Sequence, residues 1–387
     1  MSAIKRIALL FAIGVVFMLL SNSIAVTPIT QRAVIIGLGV DWIDQQYCVT
    51  CEVLSPQGSG EGATPKKITK VVSGVGQTIS IAIDDIHKLT GQLPSLGQCG
   101  IIVFGKELFE KKRLNQILDY FVFSDAFKDG TSVACFDGRA KDLFSYACPL
   151  TLSVGFALSE IIQDEADTGS TPNAPLSRFM SKQFNNPSRS YFLSYIKFIP
   201  NGNMLGQQKE GNLKVSSSVV FKDYLYKGIL TKNQQEGYNL LYKPKSYNTY
   251  LVENKDKEFE LLPDKALLGT STKQAKIDYS IIDNKIIADY KCKIKLTRTS
   301  TDNTGRLFGI MPLNNQYVND EMKKQVEEQI KQRILDAFSA QAKLECDYLE
   351  IANSLYQKYG SLATKFLNEH KNAVYEPITI NFDINLK

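Results

Sequence analysis

Hydrophobic and polar positions follow two rhythms along this chain. A period of two marks strands. Ile378, Ile380, Phe382, Ile384 and Leu386 alternate with Thr379, Asn381, Asp383 and Asn385. That predicts one buried and one wet face, as in an antiparallel sheet with helices on one side. Ala288 to Leu296 alternates likewise, with Cys292 on the apolar side, in a strand region from Lys273 to Leu296 that turns at Asp283-Asn284. Val219 to Phe221 is a further short strand. Earlier, Ala33 to Trp42 and Tyr47 to Leu54 read as strands joined by Ile43 to Gln46. Ile68 to Val75 reads as a third, and Cys99 to Phe104 and Thr131 to Phe136 as short buried ones. A period near 3.6 marks helices. In Thr78 to Thr90, Ile79, Ala82, Ile83, Ile86 and Leu89 share a face and Gly91 follows as a stop. Lys106 to Phe123 turns Leu114, Ile117, Leu118 and Phe121 inward, and a short helix covers Ala140 to Ala147. The longest helix, Asn319 to Gln341, steps by four through Met322, Val326, Ile330, Ile334 and Phe338, with Ala337 beside them. Its Asp320 and Glu321 sit where the dipole favours acids. Glu350 to Tyr359 is helical and ends at Gly360.

These elements fall into two groups. Residues 28–200 hold an antiparallel-looking pair and then alternating strands and helices, and residues 213–387 hold the rest. The polar stretch Asp164 to Pro175 reads as an exposed loop, and Asn201 to Asn212 as the domain boundary. The expected class is α+β with two domains, each a mixed or antiparallel sheet with helices packed on it. The length of 387 residues suits two domains.

Residues 1–25 stand apart. Lys5 and Arg6 precede an uncharged apolar run from Ile7 to Leu20, and Ser23 and Ala25 form a small-x-small pattern. The run spans roughly 21 Å as a helix against a hydrocarbon core of about 30 Å, which is short for spanning. A cleaved signal peptide and a short uncleaved anchor both fit, and both export the remainder. Cleavage near Val26 is the expectation.

Charge and chemistry narrow the functions. The net charge is +5, from 45 basic and 40 acidic residues, too mild and too dispersed for nucleic acid. Lys111-Lys112-Arg113, the densest basic cluster, reads as the solvated face of a helix. The seven cysteines are no small-scaffold disulfide framework, and their surroundings resemble core. Cys48-Val-Thr-Cys51 has redox spacing, but on a strand residues three apart face opposite ways. His87 and His370 lie too far apart in sequence for a local zinc motif. Gly37-Leu-Gly39 follows a strand but leads to another strand, so it lacks the helix that would hold a pyrophosphate. Ser153-Val-Gly155 lacks the context of a nucleophile elbow. No catalytic, cofactor or metal residue is nominated.

Four stretches, in order, resemble the Ger(x)C family, the C subunit of spore germinant receptors. They are Arg32 to Asp41, with its G-x-G-V-D ending; Gly74 to Gly91 followed by Cys99 to Leu108; Ser218 to Lys222, Gly228 to Thr231 and Gln235 to Leu241; and Asp347 to Phe366. The resemblance implies a non-enzymatic protein on the outer face of the spore inner membrane, acting with integral-membrane A-type and B-type subunits in nutrient sensing. It implies no cofactor and carries over no catalytic residue. Family members are typically lipoproteins whose first mature residue is a cysteine. Here Ser23 occupies that place, and without a thiol no diacylglycerol can be attached. Two alternatives stay open: an exported ligand-binding protein serving a transporter, marked by a deep aromatic pocket, and an exported hydrolase, marked by two acids facing across a cleft.

Overall fold

The computed structural model describes residues 31–54, 69–123, 126–146, 153–168, 171, 174–185, 188–200, 211–242, 247–253, 265–299 and 318–387. The segment 1–25, with Ser23, lies outside them, as do residues 201–210 of the expected boundary.

β1 (Arg32–Ile43) and β2 (Gln46–Leu54) form a hairpin whose turn residues, Asp44 and Gln45, have φ of 48° and 62°. Two successive left-handed residues match the twist of paired strands. The same device recurs at Asp223-Tyr224 and Asp283-Asn284. The first sheet runs in the order β3 (Thr69–Gly76), β2, β1, β5 (Ile101–Gly105), β6 (Ser132–Phe136), β7 (Ser190–Pro200), β8 (Gly211–Lys222) and β9 (Leu225–Leu230), with β4 (Leu93–Ser95) beside β1. Its middle, β1-β5-β6-β7, is parallel and its flanks are antiparallel. α1 (Ile79–Thr90), α2 (Lys106–Glu110), α3 (Asn115–Phe123) and α6 (Leu176–Asn185) pack into the core on one face. α4 (Ala140–Ser145) and α5 (Val154–Thr168) pack into the core on the other.

The second sheet has the order β10 (Tyr247–Glu253), β11 (Lys265–Ile282), β12 (Lys285–Thr299) and β13 (Thr379–Leu386). α7 (Lys232–Tyr242), α8 (Asp320–Leu344), α9 (Ile351–Tyr359) and α10 (Ser361–Glu369) share its core. α7 crosses α8 at Gly237, where a Cβ would lie 2.0 Å from the Arg333 carbonyl oxygen. Next to it, Arg333 pairs with Glu236 at 2.7 Å. The β10 edge is closed by side chains. Gln325 accepts from the Glu253 N–H and donates to its carbonyl, and Gln329 donates to Leu251, which blocks pairing with another chain.

The α+β class with two domains holds, and several details differ from expectation. The helix expected over Lys106 to Phe123 is broken: Lys112 takes a φ of 60°, and α3 begins at Asn115. The break places the Arg113 guanidinium 4.5 Å from the centre of the Trp42 ring, so Lys111-Lys112-Arg113 is a helix junction and not a helix face. The Asp164 to Pro175 stretch is not simply a loop. α5 runs on to Thr168, and Thr171 and Ala174 are buried. Leu89, expected on the same face as Ile79, Ala82, Ile83 and Ile86, is 64% exposed. Gly74 brings α1 so close that a Cβ there would lie 2.2 Å from the Ala82 carbonyl oxygen, and the buried stripe narrows to Ile79, Ala82 and Ile86. β13 pairs parallel to β12, because the chain reaches it by a crossover through α8 to α10.

β7 and β8 pair from Ser190↔Lys222 to Pro200↔Gly211, with one irregularity between Tyr195 and Ile196, so the first sheet includes residues beyond position 213. Side chains alternate between faces. Tyr191, Leu193, Tyr195, Val219 and Phe221 enter the first core, while Val220 and Leu230 enter the second and Phe192 packs against it. Cleavage within 201–210 is therefore expected to leave two fragments that elute together on gel filtration without denaturant. Separation of the fragments on nicking would contradict the shared sheet.

Candidate functional site

Open parallel sheets hold ligands beyond the carboxyl ends of their strands. At that end of β1, β5 and β6 the chain supplies its own anion. The buried Asp41 carboxylate accepts from the backbone N–H groups of Ala140 and Lys141, both at 2.8 Å, at the start of α4. No space is left for a bound anion: a Cβ on Gly105 would lie 1.8 Å from Asp41 Oδ1. The two glycines before Asp41 serve the same contact. A Cβ on Gly39 would meet Ala140 at 2.8 Å, and one on Gly37 would meet Phe144 at 2.5 Å. The G-x-G-V-D pattern is thus a seat for α4.

Glu52 on β2 repeats the arrangement for α5. Its buried carboxylate accepts from the N–H groups of Val154 at 3.0 Å and Gly155 at 2.7 Å, and from the hydroxyls of Thr69 and Ser153. Ser153 also accepts from the Phe156 N–H, so Ser153-Val-Gly155 is a helix start. In the second domain Asp347 accepts from the N–H groups of Ile351 and Ala352, both at 2.9 Å, at the start of α9. Gln341 braces this turn by accepting from the Leu349 N–H and donating to the Val374 carbonyl. Each acid satisfies helix N–H groups that have no partner within the helix. The three acids serve three different helices and do not face one another across a cleft.

The remaining motif residues are dispersed. Cys48 and Cys51 are both buried on β2, and only Cys51 enters the first core. Burial raises both thiol pKa values and pushes that of Cys99 up to about 12. His87 Nδ1 lies 2.9 Å from the Gln92 carbonyl oxygen and fastens the end of α1. His370 packs on Phe366 in the other domain. Among the described residues, no three His, Cys, Asp or Glu side chains are placed to hold a metal ion.

Two concavities stand out among the described residues. One lies where α6 and β7 meet the second domain, among Phe179, Tyr191, Phe192, Tyr238 and Tyr348, with Lys182 ion-paired to Glu350 across it. Its volume is about 30 Å³, room for a single water and far below a small-molecule site. The other is an open hollow of about 660 Å³ at the end of the second sheet, bordered by Ile294, Leu296 and Val318 and by Lys273, Lys293, Lys295 and Lys387.

Two expected outcomes follow from the buried thiols and acids. Cys48, Cys51, Cys99, Cys135, Cys292 and Cys346 are all buried, so a disulfide reagent should modify none of them before unfolding and all of them after. Prompt reaction at Cys48 or Cys51 would refute the core assignment. Burial raises the Asp41 pKa from 3.8 to about 6 and that of Asp347 from 3.8 to about 7, against the lowering by helix N–H groups. Between the unfolded and folded pKa values the native state binds more protons, so stability rises as pH falls from about 7.5 towards 5. For Asp347 the gain is on the order of 3 kcal/mol. Urea midpoints should therefore increase over this range, and Asp347→Asn should flatten the increase. Equal slopes in the two proteins would exclude Asp347 as the source.

Residues 26–198 match the family model for the Spore germination protein N-terminal domain, and residues 216–387 match the one described as Spore germination B3/GerAC like, C-terminal. Spore germination protein B3 of Bacillus subtilis (strain 168) is 28% identical over 125 residues, which are 32% of this chain and 33% of that protein. The match thus spans about a third of that relative's length. The crystal structure of the GerBC protein aligns with a TM-score of 0.51 over 91% of this chain and 96% of that one, at 15% identity, a likeness of fold. With both domains matched in order over nearly all residues after position 25, this chain belongs to the Ger(x)C family of spore germination proteins.

Proposed function

We propose that the protein is the extracytoplasmic, non-catalytic subunit of a membrane-bound germinant receptor, acting beside integral-membrane A-type and B-type subunits. The observation that carries this reading is the ordered pair of germination-protein domains at 26–198 and 216–387. The architecture supports it. The domains at 28–200 and 213–387 share a sheet and so move as one body, which suits a protein that passes on or stabilises a state of its partners. The buried acids Asp41, Glu52 and Asp347 are each committed to a helix start, which supports a role in binding over one in acid–base chemistry. Residues 1–25 direct export, the mature chain starts near Val26, and Ser23 leaves no thiol for lipid attachment. Retention at the outer face of the membrane then depends on contacts made by the folded part and its partners.

The test uses a tagged chain in the organism that makes it. The chain is expected in washed membranes with an N-terminus near Val26, and to co-purify with two integral-membrane proteins after detergent extraction. Spores lacking it should lose the response to one nutrient germinant and keep the response to a stimulus that bypasses receptors. Unchanged nutrient germination in the deletion strain would exclude the proposed role.

A further inference from the structure

We propose that the uncovered face of the second sheet is a docking surface for the anionic headgroups of membrane phospholipids. This rests on the reading of the protein as membrane-associated and names the surface involved. One face of β10–β13 carries the second core, and the other carries exposed polar residues. Lys291, Lys293 and Lys295 project from β12 on that face. The register sets Lys276 directly opposite Lys291, Gln274 opposite Lys293 and Ser271 opposite Lys295. Lys273 stands at the irregularity between Thr272 and Gln274.

Directly opposed like charges such as Lys276 and Lys291 are unfavourable in a sheet, and Asp383 beside Lys291 offsets only that pair. Among the described residues, Lys273, Lys276, Lys293 and Lys295 have no carboxylate partner. Asp383, opposite Lys291, lies 3.8 Å from its ammonium. The next acids along the face are engaged elsewhere. Asp278 pairs with Lys358 at 2.7 Å, and Asp289 accepts from the Asn381 amide at 2.8 Å. Successive outward positions on a strand are roughly 7 Å apart, within the Debye length of about 8 Å in physiological salt, so the lysines act as one patch. At the Lys295 end the sheet finishes in the hollow of about 660 Å³, where Lys273, Lys293, Lys295 and Lys387 meet the core-side residues Ile294, Leu296 and Val318.

The occupant follows from charge and shape. The face is broad and open, with Ser271, Gln274, Thr297, Asn381 and Asn385 between the lysines, so it offers hydrogen-bond donors to phosphate oxygens. Its outward positions from Ser271 to Ser280 and from Ile287 to Thr297 present no aromatic side chain on which a nucleic-acid base could stack. A lysine near an anionic leaflet strengthens binding about five-fold.

The full chain is titrated with vesicles of phosphatidylcholine alone and of phosphatidylcholine mixed with phosphatidylglycerol. The apolar run Ile7 to Leu20 contributes to both, so the readout is the excess on the anionic vesicles. That excess is expected at low salt, to fade at high salt, and to fall about ten-fold or more in Lys276→Glu/Lys293→Glu. Both positions are exposed, so the thermal midpoint should hold. Lys88→Glu/Lys111→Glu makes the same change in net charge on the first domain and should keep the excess. Equal binding to the two vesicles, survival of the excess in the first variant, or equal loss in both variants overturns the proposal. A chain that co-fractionates with cell membranes yet shows no excess sinks the surface and leaves the receptor reading standing.

Discussion

A strand buried on both faces must find apolar neighbours on each, and β8 finds them in different domains. Val219 and Phe221 point into the first core, while Val220, between them, points into the second. β7 does the same with Tyr191 and Leu193 on one side and Phe192 on the other. Sliding the domains apart would expose apolar surface along both strands, at a cost of roughly 25 cal/mol per Å². The ion pair of Lys182 with Glu350 and the aromatic side chains around it add a second seam between α6 and the loop before α9. The two halves are therefore coupled by a shared sheet, which is stiffer than a linker.

Within each half, helices are set on sheets by one repeated contact, a buried carboxylate at a helix start. Asp41, Glu52 and Asp347 each replace water around helix N–H groups that the helix cannot satisfy. Small residues make the contact possible: Gly37, Gly39 and Gly155 let α4 and α5 lie close on β1. Burial is what raises Asp41 and Asp347. In an enzyme a raised carboxyl in a cleft marks an acid. Here the same signature accompanies acids whose carboxylates accept from helix backbone N–H groups.

The two sheets also differ in what they leave open. The parallel middle of the first is covered on both faces, as such sheets generally are. The second is covered on one face, its β10 edge is sealed by Gln325 and Gln329, and its other face carries charge. An open sheet face is therefore found on the second sheet among the described residues.

The sequence alone determined the local elements whose signals are local. The hairpin turn at Asp283-Asn284, the four-residue apolar steps along α8 with Asp320 and Glu321 in its first turn, and the Gly91 and Gly360 stops each depend on neighbours within a few residues. The ordered motifs also pointed to the family. Tertiary structure decided the rest. The alternation in Ile378 to Leu386 is compatible with either strand direction, and only the crossover through α8 to α10 made β13 parallel. The pattern around Leu114 to Phe121 could not reveal the turn at Lys112, which is tied to the packing of Arg113 on Trp42. Asp41 reads in sequence as an isolated acid after a glycine pair. Its partner N–H groups lie 99 and 100 residues away, so no local pattern could show that it holds a helix.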